Sequence, residues 1–200
     1  MGLLTIIKKQ KLKDKECRCL VLGLDNSGKS TVVDWVLSVY KNQDRRTITP
    51  TVGFQIHTVP FANHNVQLWD IGGQSTLRPY WDNYFDKTDV LLWVMDTAAA
   101  SRMDESVQEL KTILRNRDRL GYNCRIIVLL NKKDLVEGAD KVTQTLQSDL
   151  ERLLQLENVP IETRASNALT GEGLETLMAS IVGGKCVDRG VRESTIKSIS

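Results

Sequence analysis

The stretch Gly23-Leu-Asp-Asn-Ser-Gly-Lys-Ser30 constrains this chain more than any other. It fits G-x-x-x-x-G-K-[ST], the pattern of a phosphate-binding loop. Its neighbours fit as well. Before it lies Cys17-Arg-Cys-Leu-Val-Leu22, an apolar run short enough for a buried strand. After it, Val32, Val33, Trp35, Val36, Val39 and Tyr40 recur at helical spacing. Strand, glycine loop and helix form the context that the motif requires. A glycine turn with a chance lysine is the bland alternative, and the flanking elements argue against it.

The residue types follow from phosphate chemistry. Gly23 and Gly28 permit backbone angles that a side chain would forbid. Successive N–H groups can then point inward at phosphate oxygens, and the helix adds its positive N-terminal end. Lys29 is expected to reach the β- and γ-phosphates, and the Ser30 hydroxyl to bind Mg²⁺. The expected nucleotide contacts in this segment are Gly23, Asp25, Asn26, Ser27, Gly28, Lys29, Ser30 and Thr31.

Two hundred residues suit one domain with a sizeable core. Hydrophobic content is 41% and charged content 26%, ordinary for a globular protein. A net charge of +2 argues against non-specific nucleic-acid binding. Cys17, Cys19, Cys124 and Cys186 show no zinc-ligand spacing, and the only histidines are His57 and His64. The cysteines read as ordinary thiols in a reducing compartment. No apolar run approaches the roughly 18 residues of a membrane span, and no signal-peptide core is present. The expected location is the cytoplasm.

Residues 2–15 begin with Leu3, Leu4, Ile6 and Ile7 and continue into Lys8, Lys9, Lys11, Lys13 and Lys15. This predicts a short amphipathic helix. It reads either as a peripheral membrane or partner-docking segment, or as a helix packed on the domain with solvated lysines. Gly2 invites myristoylation, but that pattern wants Ser or Thr at position 6, which is Ile6.

Further along, Lys41–Thr49 is polar and reads as a loop. Phe54–Val59 and Val66–Ile71 alternate as strands of an antiparallel hairpin, with the turn tip expected at Asn63–Asn65. The second strand delivers Asp70-Ile-Gly-Gly-Gln74. An acidic residue at a strand end suits the second shell of Mg²⁺, through water. Gly72 could offer its N–H to the γ-phosphate, with Gly73 beside it, and Gln74 could orient the attacking water. Val90–Met95 and Cys124–Leu130 read as strands buried on both faces. Helices are expected over 101–119, 142–156 and 174–182, with a strand at Ile161–Ala165. Alternating strands and helices imply an α/β fold, a mostly parallel sheet with helices on both faces. Ligands bind such sheets beyond the carboxyl ends of the strands, where the loop, Asp70, Asn131 and the segment after Ala165 all fall. From Gly183 to Ser200 no pattern persists, and disorder is expected. Cys186 lies too far from the end for prenylation.

Asn131-Lys-Lys-Asp134 chooses the base. The Asp134 carboxylate can accept from guanine N1–H and the N2 amine, a donor pair that adenine lacks. A carboxylate left unsatisfied by adenine is a costly mismatch. The Lys132 stem can lie against the base plane. An ATP-using kinase is disfavoured by this string and by the lack of an arginine-rich lid.

Together, Gly23–Ser30, Thr51, Trp69-Asp-Ile-Gly-Gly-Gln74 and Asn131–Asp134 resemble the motifs of the Arf and Arf-like small GTPases, and the resemblance covers about residues 2–182. It implies the small-GTPase G domain, a P-loop NTPase three-layer sandwich with a six-stranded sheet, over residues 16–182. It implies GTP and GDP with Mg²⁺ as ligands, and a monomeric switch that hydrolyses GTP. Partners implied are a GTPase-activating protein, an exchange factor and effectors. Met1–Lys9 and Leu77–Phe85 resemble the branch that works with tubulin-folding cofactors, which implies a microtubule role. An effector-binding protein with negligible turnover and a membrane-traffic regulator are the alternatives. By the same resemblance Thr51 is a switch-loop ligand of Mg²⁺, Lys29 and Gln74 are catalytic, and Phe54–Ile71 slides between nucleotide states. One departure stands out: the family's guanine-contacting Ser-Ala is Asn167-Ala168. The Ala168 N–H could still reach guanine O6, but the hydroxyl that braces the loop is absent. No arginine is built into the phosphate loop, whose γ-phosphate-facing position is Asp25, so intrinsic hydrolysis is expected to be slow.

Overall fold

A computed structural model describes residues 16–120, 124–136, 138–155 and 161–183. The expected helix over 2–15, the tail beyond Gly183 and Cys186 lie outside the described residues. Strands β1 (Glu16–Leu22), β2 (Phe54–Phe61), β3 (His64–Ile71), β4 (Val90–Asp96), β5 (Arg125–Asn131) and β6 (Ile161–Ala165) form one sheet. Their order is β2-β3-β1-β4-β5-β6, and only the β2–β3 pair is antiparallel. Helices α1 (Lys29–Lys41), α2 (Ala100–Arg115), α3 (Arg117–Leu120), α4 (Ala139–Gln155) and α5 (Leu177–Val182) fall between and after the strands.

Alternation along the strands builds two cores. Side chains at successive strand positions face opposite sides. Cys19 and Val21 of β1 therefore pack with Val33 and Val36 of α1 and with Leu177 and Ile181 of α5. Leu20 and Leu22 face the other way, onto Trp93 and Met95 of β4, Leu110 of α2 and Leu150 of α4. Central strands covered on both sides need the near-continuous apolar sequence that Val90–Met95 and Ile126–Leu130 carry. The three-layer α/β fold is the expected one.

Several local expectations shift. The hairpin tip is Ala62-Asn63, because Phe61 pairs with His64 and Pro60 with Asn65. Both tip residues have positive φ, 47° and 63°, the geometry of a two-residue type I′ turn that matches strand twist. The helix expected over 101–119 breaks at Asn116, whose N–H turns back to the Ile113 and Leu114 carbonyls, and resumes as α3. The last helix starts at Leu177 and not Leu174. Ahead of it, Leu174 and Leu177 donate to the Gly171 and Leu174 carbonyls in tight three-residue steps.

Between β3 and β4 lies a 3-10 segment, Arg78–Tyr84. Its Trp81 is buried, edge-on to Trp93, and its indole N–H donates to the Gly72 carbonyl at 3.0 Å. That bond ties the glycine loop after β3 to the core. The carboxyl ends of β1, β3, β5 and β6 thus gather four loops along one edge of the sheet.

Candidate functional site

The phosphate loop links β1 to α1. Gly28 precedes the helix with φ 97°, and a Cβ there would lie 2.2 Å from Asn131 Nδ2. Only glycine serves at that position, for conformation and for space. The helix starts at Lys29, so the N–H groups of Lys29, Ser30 and Thr31 have no acceptor within it. They form the anion-binding end. Asn26 sits exposed at the loop tip in a left-handed conformation, φ 60°, and Ser27 is buried.

Lys29 is buried, and its ammonium donates to the Gly23 and Leu24 carbonyls at 2.9 and 2.7 Å. The side chain therefore curls over its own loop. Burial pulls its pKa from the usual lysine range to about 8, against the raising effect of Asp70 and Asp25. A polyanion at the loop would favour the charged form further.

Three oxygen donors converge beside it. Ser30 Oγ donates to Asp70 Oδ2 at 2.6 Å and lies 2.9 Å from Thr51 Oγ1, which is 3.3 Å from Asp70 Oδ2. Residues from three segments thus meet as the sequence expected. Burial pushes the Asp70 carboxyl up, opposed by the Ser30 hydrogen bond and by Lys29. The other carboxylate oxygen, Oδ1, is buried without a hydrogen-bond partner. Hard oxygens and an orphaned carboxylate oxygen fit Mg²⁺.

The loop after β3 lies directly on the phosphate loop. A Cβ on Gly73 would meet Gly23 O at 2.4 Å and Asp25 N at 2.5 Å, which leaves room for glycine alone. The Asp25 N–H donates to Gly73 O at 3.1 Å. Gly72 differs from expectation. Its N–H already donates to Gly53 O at 2.8 Å, so the donor left for a γ-phosphate is that of Gly73. Gln74 is exposed beside them, its carbonyl starting the turn to Leu77.

Two arginines complete this corner. Arg102 of α2 donates to Asp25 Oδ1 at 2.7 Å and to the Asp25 carbonyl at 3.1 Å. Arg78 donates to Gly73 O at 3.1 Å and to Glu105 and Glu109 at 2.7 and 3.0 Å. Arg102 holds the Asp25 carboxyl below the ordinary carboxylate range. The Asp25 side chain is accordingly turned toward α2. Sequence reasoning missed both arginines. They lie 53 and 77 residues from Asp25, and no local pattern marks such pairs.

The base-facing loops are joined through Asn131, which is 1% exposed. Its Nδ2 donates to Ser27 O at 2.9 Å, and its Oδ1 accepts from the Ala168 N–H at 3.0 Å. The Ala168 N–H, expected to be open to guanine O6, is thus engaged by Asn131. Lys132 has φ 64° and its ammonium pairs with Asp96 Oδ2 at 2.7 Å, which stretches its stem across the end of β4 and β5. Asp134 is exposed. Asn167 corrects a second expectation. Its Oδ1 accepts from Leu169 N–H at 2.9 Å and Thr170 N–H at 3.4 Å, so an amide oxygen braces the loop from position 167, which has no hydroxyl. Among the described residues no helix is long and apolar enough to cross a membrane.

Comparison with known proteins agrees with this geometry. The ADP-ribosylation factor family model matches residues 3–183. The chain is 42% identical over 177 residues to ADP-ribosylation factor-like protein 3 of Chlamydomonas reinhardtii, covering 88% of this chain and 94% of that protein. It is 42% identical over 178 residues to ADP-ribosylation factor-like protein 2 of Dictyostelium discoideum, covering 88% and 90%. The solved structure of the Arl6 BBS3 small GTPase from Trypanosoma brucei, with bound nucleotide analogue GppNp, superposes with a TM-score of 0.65 at 25% identity, over 83% of this chain and 97% of that one.

Proposed function

This chain belongs to the ADP-ribosylation factor family, whose members hydrolyse GTP with Mg²⁺, and on that premise we propose a residue-level mechanism and a microtubule role for its switch. The phosphate loop, Gly23 to Thr31, holds the nucleotide phosphates, with the N–H groups of Lys29, Ser30 and Thr31 as its open donors. Lys29 leaves its loop carbonyls for the β- and γ-phosphates. Ser30 and Thr51 hold Mg²⁺ directly and Asp70 holds it through water. Bound there, Mg²⁺ neutralises charge that develops on the phosphates. Gly73 donates to the γ-phosphate, and Gln74 orients the attacking water. Asn131, Lys132, Asp134, Asn167 and Ala168 form the guanine pocket.

The observation that carries the reading is the convergence of Ser30, Thr51 and Asp70 beside buried Lys29. Their separation in sequence leaves a shared ligand as the simplest reason for the cluster. Hydrolysis is slow without a partner, because Arg102 and Arg78 are held by acidic groups and by the Gly73 carbonyl. Both are already engaged within the protein and so are not free to meet charge on a leaving phosphate. An activating protein supplies that charge.

The microtubule role rests on the similarity of Met1–Lys9 and Leu77–Phe85 to the branch that works with tubulin-folding cofactors. Relatives named ADP-ribosylation factor-like protein 2 support it. The test is a pull-down with GTP-locked Gln74→Leu and GDP-bound Ser30→Asn protein. Tubulin-folding cofactors retained in one nucleotide state support the role. Vesicle-coat or membrane proteins retained in their place would favour a traffic function.

A further inference from the structure

Asp34 is a buried carboxylate that phosphate chemistry does not use. It lies on α1 and is 3% exposed. A buried carboxylate needs partners, and here they come from the loop that leads toward Thr51. Arg45 Nε donates to Asp34 Oδ2 at 2.7 Å. Arg46 adds its backbone N–H at 3.3 Å and its Nε at 3.5 Å, both to Asp34 Oδ1.

Arg45 does more than neutralise Asp34. Its Nη2 donates to the Ala168 carbonyl at 3.1 Å and its Nη1 to the Leu169 carbonyl at 3.4 Å. One planar guanidinium therefore joins three segments: α1, the 42–50 loop and the base-facing loop. Only a fork of fixed donors does this; an ammonium is a single point. Ala168 is held from both sides, its carbonyl by Arg45 and its N–H by Asn131. Asn131 continues the chain to Ser27 of the phosphate loop. The hydrogen-bonded path runs from Arg45 through the 165–171 loop to the Ser27 carbonyl of the phosphate loop.

We infer that Arg45 is a latch on nucleotide release: it ties the 42–50 loop to the guanine loop through Asp34 and Ala168, and departure of either GDP or GTP requires that tie to open. The inference rests on the guanine-nucleotide reading of the site. Nothing in the tie contacts the γ-phosphate region, so it acts on both nucleotides alike. Arg45 is a positioning residue that works through Ala168.

The expected effect follows from what is lost. A hydrogen bond to a charged group contributes more than a neutral one, and Arg45 is about a third exposed, so loss of the latch raises the release rate roughly tenfold. The experiment follows dissociation of a fluorescent GDP analogue, and separately of a non-hydrolysable GTP analogue, from the full chain with Mg²⁺ present. Arg45→Ala is expected to release both about tenfold faster. Arg45→Lys keeps a charge for Asp34 but loses the fork. It is expected to melt at the temperature of the unsubstituted protein and still to release fast, a split that a purely structural role would not produce. Arg46→Ala, which touches Asp34 but not the base loop, is expected to release at the original rate. Unaltered release from both Arg45 variants, or acceleration by Arg46→Ala equal to that by Arg45→Ala, overturns the latch while leaving the site reading intact. An unsubstituted protein that binds no guanine nucleotide overturns the site reading, and the latch with it.

Discussion

Replacing Asn131 with Ala tests whether the base loop and the phosphate loop are one unit. The side chain is 1% exposed and makes two short buried bonds, to Ser27 O at 2.9 Å and from Ala168 N–H at 3.0 Å. A third, longer bond comes from Ser166 Oγ at 3.4 Å, so the figure from the two short bonds is a lower bound. Truncation removes the side chain and leaves the Ser27 carbonyl and the Ala168 N–H without partners. A buried orphan costs ~1–3 kcal/mol, and about 1.5 kcal/mol for each gives ~3 kcal/mol in total. With a urea slope of about 2 kcal/mol/M, the midpoint drops by ~1.5 M. The assay is urea unfolding of nucleotide-free protein, joined to hydrogen exchange at the Ala168 amide. That amide should lose protection beyond the global change, because its acceptor is gone. Lys132→Ala is the comparison. Its ammonium pairs with Asp96 where both are partly exposed, so it should lower stability by under about 1 kcal/mol. A loss under about 1 kcal/mol in Asn131→Ala, with the Ala168 amide still protected, would refute the coupling.

Three further outcomes are expected. Asp134→Asn should weaken GTP and gain XTP, because an amide N–H suits the carbonyl that replaces the guanine amine; competition binding that shows full GTP affinity and no XTP gain excludes Asp134 from base reading. Gln74→Leu should bind both nucleotides normally while partner-stimulated single-turnover hydrolysis falls by roughly 10²-fold or more, and unchanged stimulation would mean that the partner places the water itself. Arg102→Ala should raise the Asp25 carboxyl toward its ordinary value, since the Arg102 hydrogen bond is the largest cause of its depression. A depressed folded-state carboxyl contributes stability above its unfolded value and loses it as pH falls through the folded one. Acid unfolding should therefore begin at higher pH in Arg102→Ala, and a carbon-detected titration of Asp25 that does not move would count against the pair.

The fold and the phosphate chemistry were legible in the sequence because both are local. A period-2 or 3.6 pattern and a glycine loop of fixed spacing declare themselves within a dozen residues. Gly28, Lys29, Ser30 and Asp70 come together because each sits at a strand or helix end whose place the topology dictates, whereas Thr51, in the loop before β2, was legible only through the family resemblance. What was not legible depends on backbone donors and on long-range pairs. The Gly72 and Gly73 amides are adjacent and chemically alike, and only the position of Gly53 O shows which one is engaged. Arg78 and Arg102 find Asp25, and Arg45 finds the Ala168 and Leu169 carbonyls, at separations where no sequence period reports contact. Asn167 read as a lost hydroxyl, yet its amide oxygen reaches the same kind of N–H donors. The hairpin tip moved because asparagine is frequent in turns, whereas pairing of Phe61 with His64 decides the register.

The order of the strands has a consequence for how the chain is made. β1, first in the described chain, sits in the interior of the sheet, flanked by β3 and β4, and β5 and β6 are added outward on one side. Synthesis delivers segments from the N-terminus onward. The phosphate loop and the oxygens of Ser30, Thr51 and Asp70 therefore leave the ribosome well before Asn131, and Ala168 comes last of all. On the proposed site, a nascent chain halted before β5 has its phosphate end in hand but lacks the Asp134 carboxylate that tells guanine from adenine. The means of discriminating between the two bases is then acquired only once the last third of the sequence is reached.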